Sequence, residues 1–87
     1  MSAIATIDPH TRTREPYPID IPGLSISPAA PGLWRVTRPK GPVLGHIERR
    51  GAGEEARFGA KRLAPGGIRS IDLGEFWSSR DAAEVFR

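Results

Sequence analysis

From Gly32 to Arg49 the chain reads GLWRVTRPKGPVLGHIER, with apolar and polar positions alternating on both sides of a proline–glycine break. Trp34 and Val36 interleave with Arg35 and Thr37, the period of two that marks a half-buried strand. This predicts a strand from Leu33 to Arg38, a turn at Pro39-Lys40-Gly41-Pro42, and a return strand from Val43 to Arg50. Pro42 has no N–H to give a ladder, so it belongs at the start of that strand. Gly45 inside it marks either a bulge or a close approach from the neighbouring strand. Arg50 to Glu55 reads as a flexible hairpin loop, and Ala56 to Leu63 as a third strand with Phe58 and Ala60 on one face.

Ala64-Pro65-Gly66-Gly67 breaks the pattern. Ile68 to Leu73 is β-branched enough for a short fourth strand or an extended crossing segment. Ser78, with Asp81 three residues on, is a helix N-cap, followed by a helix from Ser79 to Phe86. Its apolar stripe is Ala82, Val85 and Phe86, and a helix this short holds only by packing that stripe on the sheet. The pattern therefore predicts an α+β domain over residues 32–87: a three- or four-stranded antiparallel sheet against one short C-terminal helix. The expected core is Trp34, Val36, Leu44, Ile47, Phe58, Ala60, Leu73, Phe76, Ala82, Val85 and Phe86.

Residues 1–31 differ: they hold six of the nine prolines. Each proline removes a backbone donor and biases its predecessor toward extended geometry. A disordered, Pro-rich N-terminal arm is the expectation, with a domain boundary near Pro31-Gly32. Ile19, Ile21, Leu24 and Ile26 alternate loosely, which leaves open an ordered segment docked along an edge of the sheet.

Composition narrows the chemistry. Eighty-seven residues suit one domain, and the absence of cysteine removes disulfides, thiolate metal sites and a Cys nucleophile, in keeping with a cytoplasmic setting. No apolar run approaches the ~20 residues of a membrane span, and no secretory leader is visible at the N-terminus. His10 and His46 lack the spacing of a metal site, and Ser78-Ser79 beside Asp81 is accounted for by the helix cap. Gly66-Gly67 lacks the strand–loop–helix context of a phosphate loop. No cofactor, metal or catalytic centre is expected, so the chain reads as non-enzymatic.

Charge supplies the functional lead. Residues 32–87 hold 11 Lys or Arg against seven Asp or Glu, and residues 32–62 hold eight against three. If Trp34 and Val36 face the helix, Arg35 and Thr37 face away, and Arg57 and Lys61 turn outward where Phe58 and Ala60 turn in. Adding Arg49 from the second strand gives an open face with Arg35, Arg49, Arg57 and Lys61, extended at its edges by Arg38, Lys40, Arg50 and Arg62. A two- or three-stranded ribbon fits the major groove, where arginine pairs with guanine and other cations hold phosphates. The competing reading is a solvated face, since any one-sided antiparallel sheet shows polar residues to water. Trp34 and Trp77 are candidates for stacking on bases, with a core position the alternative for each.

The succession W-x-V, turn, L-G-x-I, loop, R-F-x-A-K-R, then L-G-x-F-x-S and a helix with Asp81-Ala82-Ala83 resembles the N-terminal arm-binding domains of phage tyrosine integrases. Those domains are similar to the AP2 DNA-binding fold of plants. The resemblance implies a three-stranded sheet laid in the major groove and backed by a helix. Trp34-Arg35-Val36 stands at its first strand, Arg57 to Lys61 at its third, and Leu73 to Phe76 at the turn into the helix. The chain also looks like short actinobacterial proteins that carry an LWRVTR, LGxIE and LGEFW pattern. Two functions follow as expectations: binding of nucleic acid, DNA ahead of RNA, through the basic sheet face; or docking of a protein partner at a sheet edge and the Trp77 corner.

Overall fold

The computed structural model describes residues 15–66 and 68–87. Five strands form one antiparallel meander in chain order: β1 Ser25–Ala30, β2 Leu33–Thr37, β3 Val43–Arg50, β4 Arg57–Leu63 and β5 Ser70–Phe76. Helix α1, Ser79–Glu84, follows β5 and packs on β4 and β5. The α+β architecture and the C-terminal helix are those the residue pattern predicts. The strand count is corrected from three or four to five, which also departs from the three-stranded sheet that the integrase resemblance implies.

The added first strand comes from the segment expected to be a disordered arm. SISPAA pairs along β2 from Ser25↔Thr37 to Ala30↔Leu33, so Pro31-Gly32 is a two-residue hairpin turn and not a domain boundary. Gly32 has φ +71°, a left-handed conformation that costs glycine nothing, and proline before it presets the turn. Pro28 is tolerated because β1 is an edge strand and its pairing with β2 is irregular between Pro28 and Ala30.

Upstream of β1, residues 15–24 run as a strap over the helix side of the sheet. Tyr17 and Ile21 are buried there with Trp34 and Phe58, and the Tyr17 ring meets the Trp34 ring edge-on at 5.2 Å. The Tyr17 hydroxyl donates to the Ser79 carbonyl at 2.5 Å, joining strap to helix start. Burial pushes the Tyr17 phenol well above its usual range, so it remains a donor at every ordinary pH. The Trp34 indole N–H, buried under the strap, donates to the Glu15 carbonyl at 2.7 Å. Without the strap this N–H would be buried unpaired, at a cost of about 1–3 kcal/mol. The arm expectation therefore fails from Glu15 onward, while residues 1–14 lie outside the described residues.

The core is Tyr17, Ile21, Trp34, Val36, Ile47, Phe58 and Ala60 under Ala82, Ala83 and Phe86, with Leu44, Leu73 and Phe76 partly buried against it. Val85, expected inside, is 37% exposed, and Ala83 takes its place. On a 3.6-residue period both choices share a stripe with Ala82 and Phe86; the helix is turned toward Ala83, and Val85 falls at the C-cap. Ser78 caps α1 as expected, its Oγ accepting from the Asp81 N–H at 3.0 Å. At Gly45 both readings hold. Val36 faces Gly45 while Thr37 faces Val43, so Leu44, next to Gly45, is the extra residue of a bulge in β3, and a Cβ on Gly45 would collide with the Lys61 carbonyl and come within 2.7 Å of the Phe86 ring.

Candidate nucleic-acid interface

Helix and strap cover one face of the sheet; cross-strand register decides which cations reach the other. Arg35 pairs with His46, His46 with Lys61, and Lys61 with Asp72, so one row crosses the open face from β2 to β5. Arg35 and Lys61 are two strands apart, about 10 Å, within the ~12 Å width of a major groove. Asp72 makes no ion pair with Lys61. Its Oδ1 turns back to accept the Gly74 N–H at 2.8 Å, at the bulge between Ala60 and Lys61 in the β4–β5 pairing.

His46 sits between the two cations. Burial first, and then the Arg35 charge, push the imidazole below its ordinary range, so it is neutral at pH 7. Beyond the row, Arg38 and Lys40 occupy the β2–β3 turn, both exposed. Lys40 holds φ +58° and the turn closes with the Gly41 N–H donating to the Arg38 carbonyl at 2.9 Å. Among the described residues, Arg35, Arg38, Lys40, Lys61, Arg62 and Arg69 make no ion pair.

Other expected contact residues lie elsewhere or are already engaged. Arg49 is not on the open face. It pairs with Phe58 on the helix side, bonds Glu15 Oε1 at 2.9 Å and lies 5.8 Å from the Trp34 ring centre. On an unbroken strand it must share a face with Ile47, two residues before it, and Ile47 is core. Arg62 also falls on the helix side, opposite Gly45, and is half-buried. The Thr37 hydroxyl donates to the Ser25 carbonyl at 3.3 Å, at the β1–β2 border. Trp34 is 1% exposed, which removes it as a platform for bases.

Arg57 is on the open face, but its guanidinium stacks on Trp77 at 4.4 Å and reaches Glu75 at 3.6 Å. Arg50, placed by the sequence at the edge, lies across Gly59 to bond Glu75 on β5 and also meets Glu48 at 3.3 Å. A hydrogen bond from Arg50 and the charges of Arg50 and Arg57 outweigh desolvation and hold the Glu75 carboxyl below its usual range. The open face is thus basic toward the β2–β3 turn and balanced toward the β3–β4 loop, where Glu54 and Glu55 form a short 3₁₀ turn. The sequence missed the two carboxylates that engage these arginines, Glu15 on the helix side and Glu75 on the open face. Each is distant along the chain from its arginine, and only the strap and the last strand bring them in.

The chain matches no protein-family model, no curated protein and no solved structure. Its function is therefore argued from its own residues. No helix among the described residues is long and apolar enough to cross a membrane.

Proposed function

We propose that this chain is a small non-enzymatic accessory protein that binds nucleic acid, duplex DNA ahead of RNA, through the β2–β3 end of its open sheet face. The observation that carries this reading is the row Arg35–His46–Lys61 with Arg38 and Lys40 beyond it, four cations around a neutral imidazole that have no ion-pair partner among the described residues. Arg35 and Lys61 stand on β2 and β4, both paired with β3 between them, so sheet hydrogen bonds and not loop order set their separation. Arg35 offers a fork of donors for a phosphate or a guanine edge, and Lys61 a point charge for a neighbouring phosphate. Arg38 and Lys40 extend the contact along the backbone. The likeness to integrase arm-binding domains, which lay a three-stranded sheet in the major groove, supports the same reading for β2, β3 and β4.

The test is a fluorescence-anisotropy titration of random duplex and single-stranded DNA at two salt concentrations. Binding through basic contacts weakens with salt, with a slope in log K against log salt of about 0.9 per phosphate neutralised on duplex. Arg35→Ala/Lys61→Ala is expected to lower that slope by about two while leaving the fold intact. Absence of binding at low salt, or equal loss from Arg50→Ala/Arg57→Ala, would show this reading to be wrong.

A further inference from the structure

The opposite end of the molecule carries a second surface. Trp77 directly follows Phe76, which turns into the core, and it is 65% exposed. An exposed tryptophan leaves a large apolar area in water on a domain this small, and tryptophan is enriched at interfaces because its ring is apolar at one end and carries a polar N–H at the other. Its ring is held in place: Arg57 stacks on it at 4.4 Å, and Glu75 holds Arg57 at 3.6 Å. An anchor fixed before binding loses little freedom when a partner arrives.

Beside Trp77 runs an open groove of about 680 Å³, with Phe58 and Ala56 contributing apolar wall and the Gly51–Glu54 loop forming the far side. Gly51 and Gly53 both hold positive φ, so this rim presents backbone without side chains and admits the close approach of another chain. Glu15, Arg49 and Glu54 are the charged residues of its lining. Arg49 is held by Glu15, whereas Glu54 is exposed and makes no ion pair among the described residues, and exposed Glu55 follows it in the loop. The free charge at the groove is thus a carboxylate, complementary to a cationic, partly apolar ligand.

We infer that the groove between Trp77 and the Gly51–Glu55 loop docks an extended arginine- or lysine-bearing segment of a partner protein. Apolar side chains of the segment rest on Trp77 and Phe58, and its cation meets Glu54 at the rim, with Glu55 next to it in the loop. This surface is independent of the basic row, so the chain has two poles: one for a polyanion and one for a basic peptide.

The test uses the full chain and two immobilised octapeptide sets. Both carry the same mixture of Leu, Pro, Phe and Ala at six positions; one has Arg-Arg at the centre and the other Glu-Glu. Retention by the Arg set is expected, at least tenfold weaker for Trp77→Ala and for Glu54→Gln/Glu55→Gln, and unchanged for Arg35→Ala/Lys61→Ala. Both groove variants alter exposed side chains, and circular dichroism checks that they stay folded. Equal retention on the two sets, or undiminished retention by Trp77→Ala, overturns the inference. So does quenching of Trp77 fluorescence by oligo-dT that competes with the Arg set, which would mark a base-stacking site, or a dimer that Trp77→Ala abolishes, which would mark a contact between copies of this chain.

Discussion

Arg49, Arg50 and Arg57 stand at one end of the sheet, and Arg35, Arg38, Lys40 and Lys61 stand at the other or along the way to it. The first group meets Glu15, Glu48 and Glu75; the second meets no carboxylate among the described residues. Both groups belong to the same basic stretch of chain and contribute equally to any count of charges. The difference lies in what packs beside them. At the β3–β4 end the strap brings Glu15 and the last strand brings Glu75, so the arginines there take part in holding the fold. At the β2–β3 end the one carboxylate in the row, Asp72, is turned onto its own backbone. A basic segment therefore supplies a binding surface only where no distant segment has already neutralised it.

The comparison breaks down most visibly if the strap does not matter. Tyr17→Ala removes a buried ring and its bond to Ser79, and is expected to cost about 3–5 kcal/mol, read by urea unfolding. Tyr17→Phe keeps the ring and should lose about 1 kcal/mol. If both are silent, the strap is not part of the fold. Next in size is the binding effect. Arg35→Ala/Lys61→Ala is expected to weaken duplex binding by about a hundredfold at low salt, if each charged contact contributes about 1.5 kcal/mol, with unfolding unchanged. Arg49→Ala should do the reverse. It loses the Glu15 bond and the contact with the Trp34 ring, both partly exposed, for about 1 kcal/mol of stability and no change in the salt slope. Matching effects from the two variants would erase the distinction between the ends.

The smallest effect concerns His46. The groups around it are Arg35 and Lys61 on the flanking strands and Glu48 two residues along its own. Its folded-state pKa lies below that of the unfolded chain, which takes up protons near pH 6.5. The unfolded chain thus binds more protons in that window. The stability associated with neutral His46 is complete above about pH 6.5 and declines as pH falls toward the folded value. A polyanion on the row reverses the preference by favouring the charged imidazole. Duplex affinity should rise between pH 7.5 and 5.5, and His46→Gln should flatten both dependences. A pH-independent affinity in the parent chain would place the polyanion away from this row.

Much of the architecture was legible along the chain because it rests on local chemistry. Alternation bounded β3 and nearly bounded β2 and β4, and it placed Trp34, Val36, Ile47, Phe58 and Ala60 inside. A serine before a short helix capped it. Even the face of Arg49 was available from its spacing to Ile47, since the bulge at Leu44 lies before Ile47 and leaves the alternation up to Arg49 unbroken. Prolines obscured β1, because the same residues that forbid a central strand are admissible on an edge, and neighbours alone do not say which position a strand will occupy.

Tertiary structure alone decided the rest. Pro31-Gly32 is a hairpin turn only because β1 has β2 to pair with. Ala83 rather than Val85 faces inward because strap and sheet set the rotation of a helix whose stripe admits both. The state of each cation depends on carboxylates far along the chain: Glu15 lies 34 residues before Arg49, and Glu75 lies 25 after Arg50. Side-chain period is a property of one strand and can be read along it. Charge pairing is a property of what register and packing bring within about 4 Å, and that is settled only when the chain has folded.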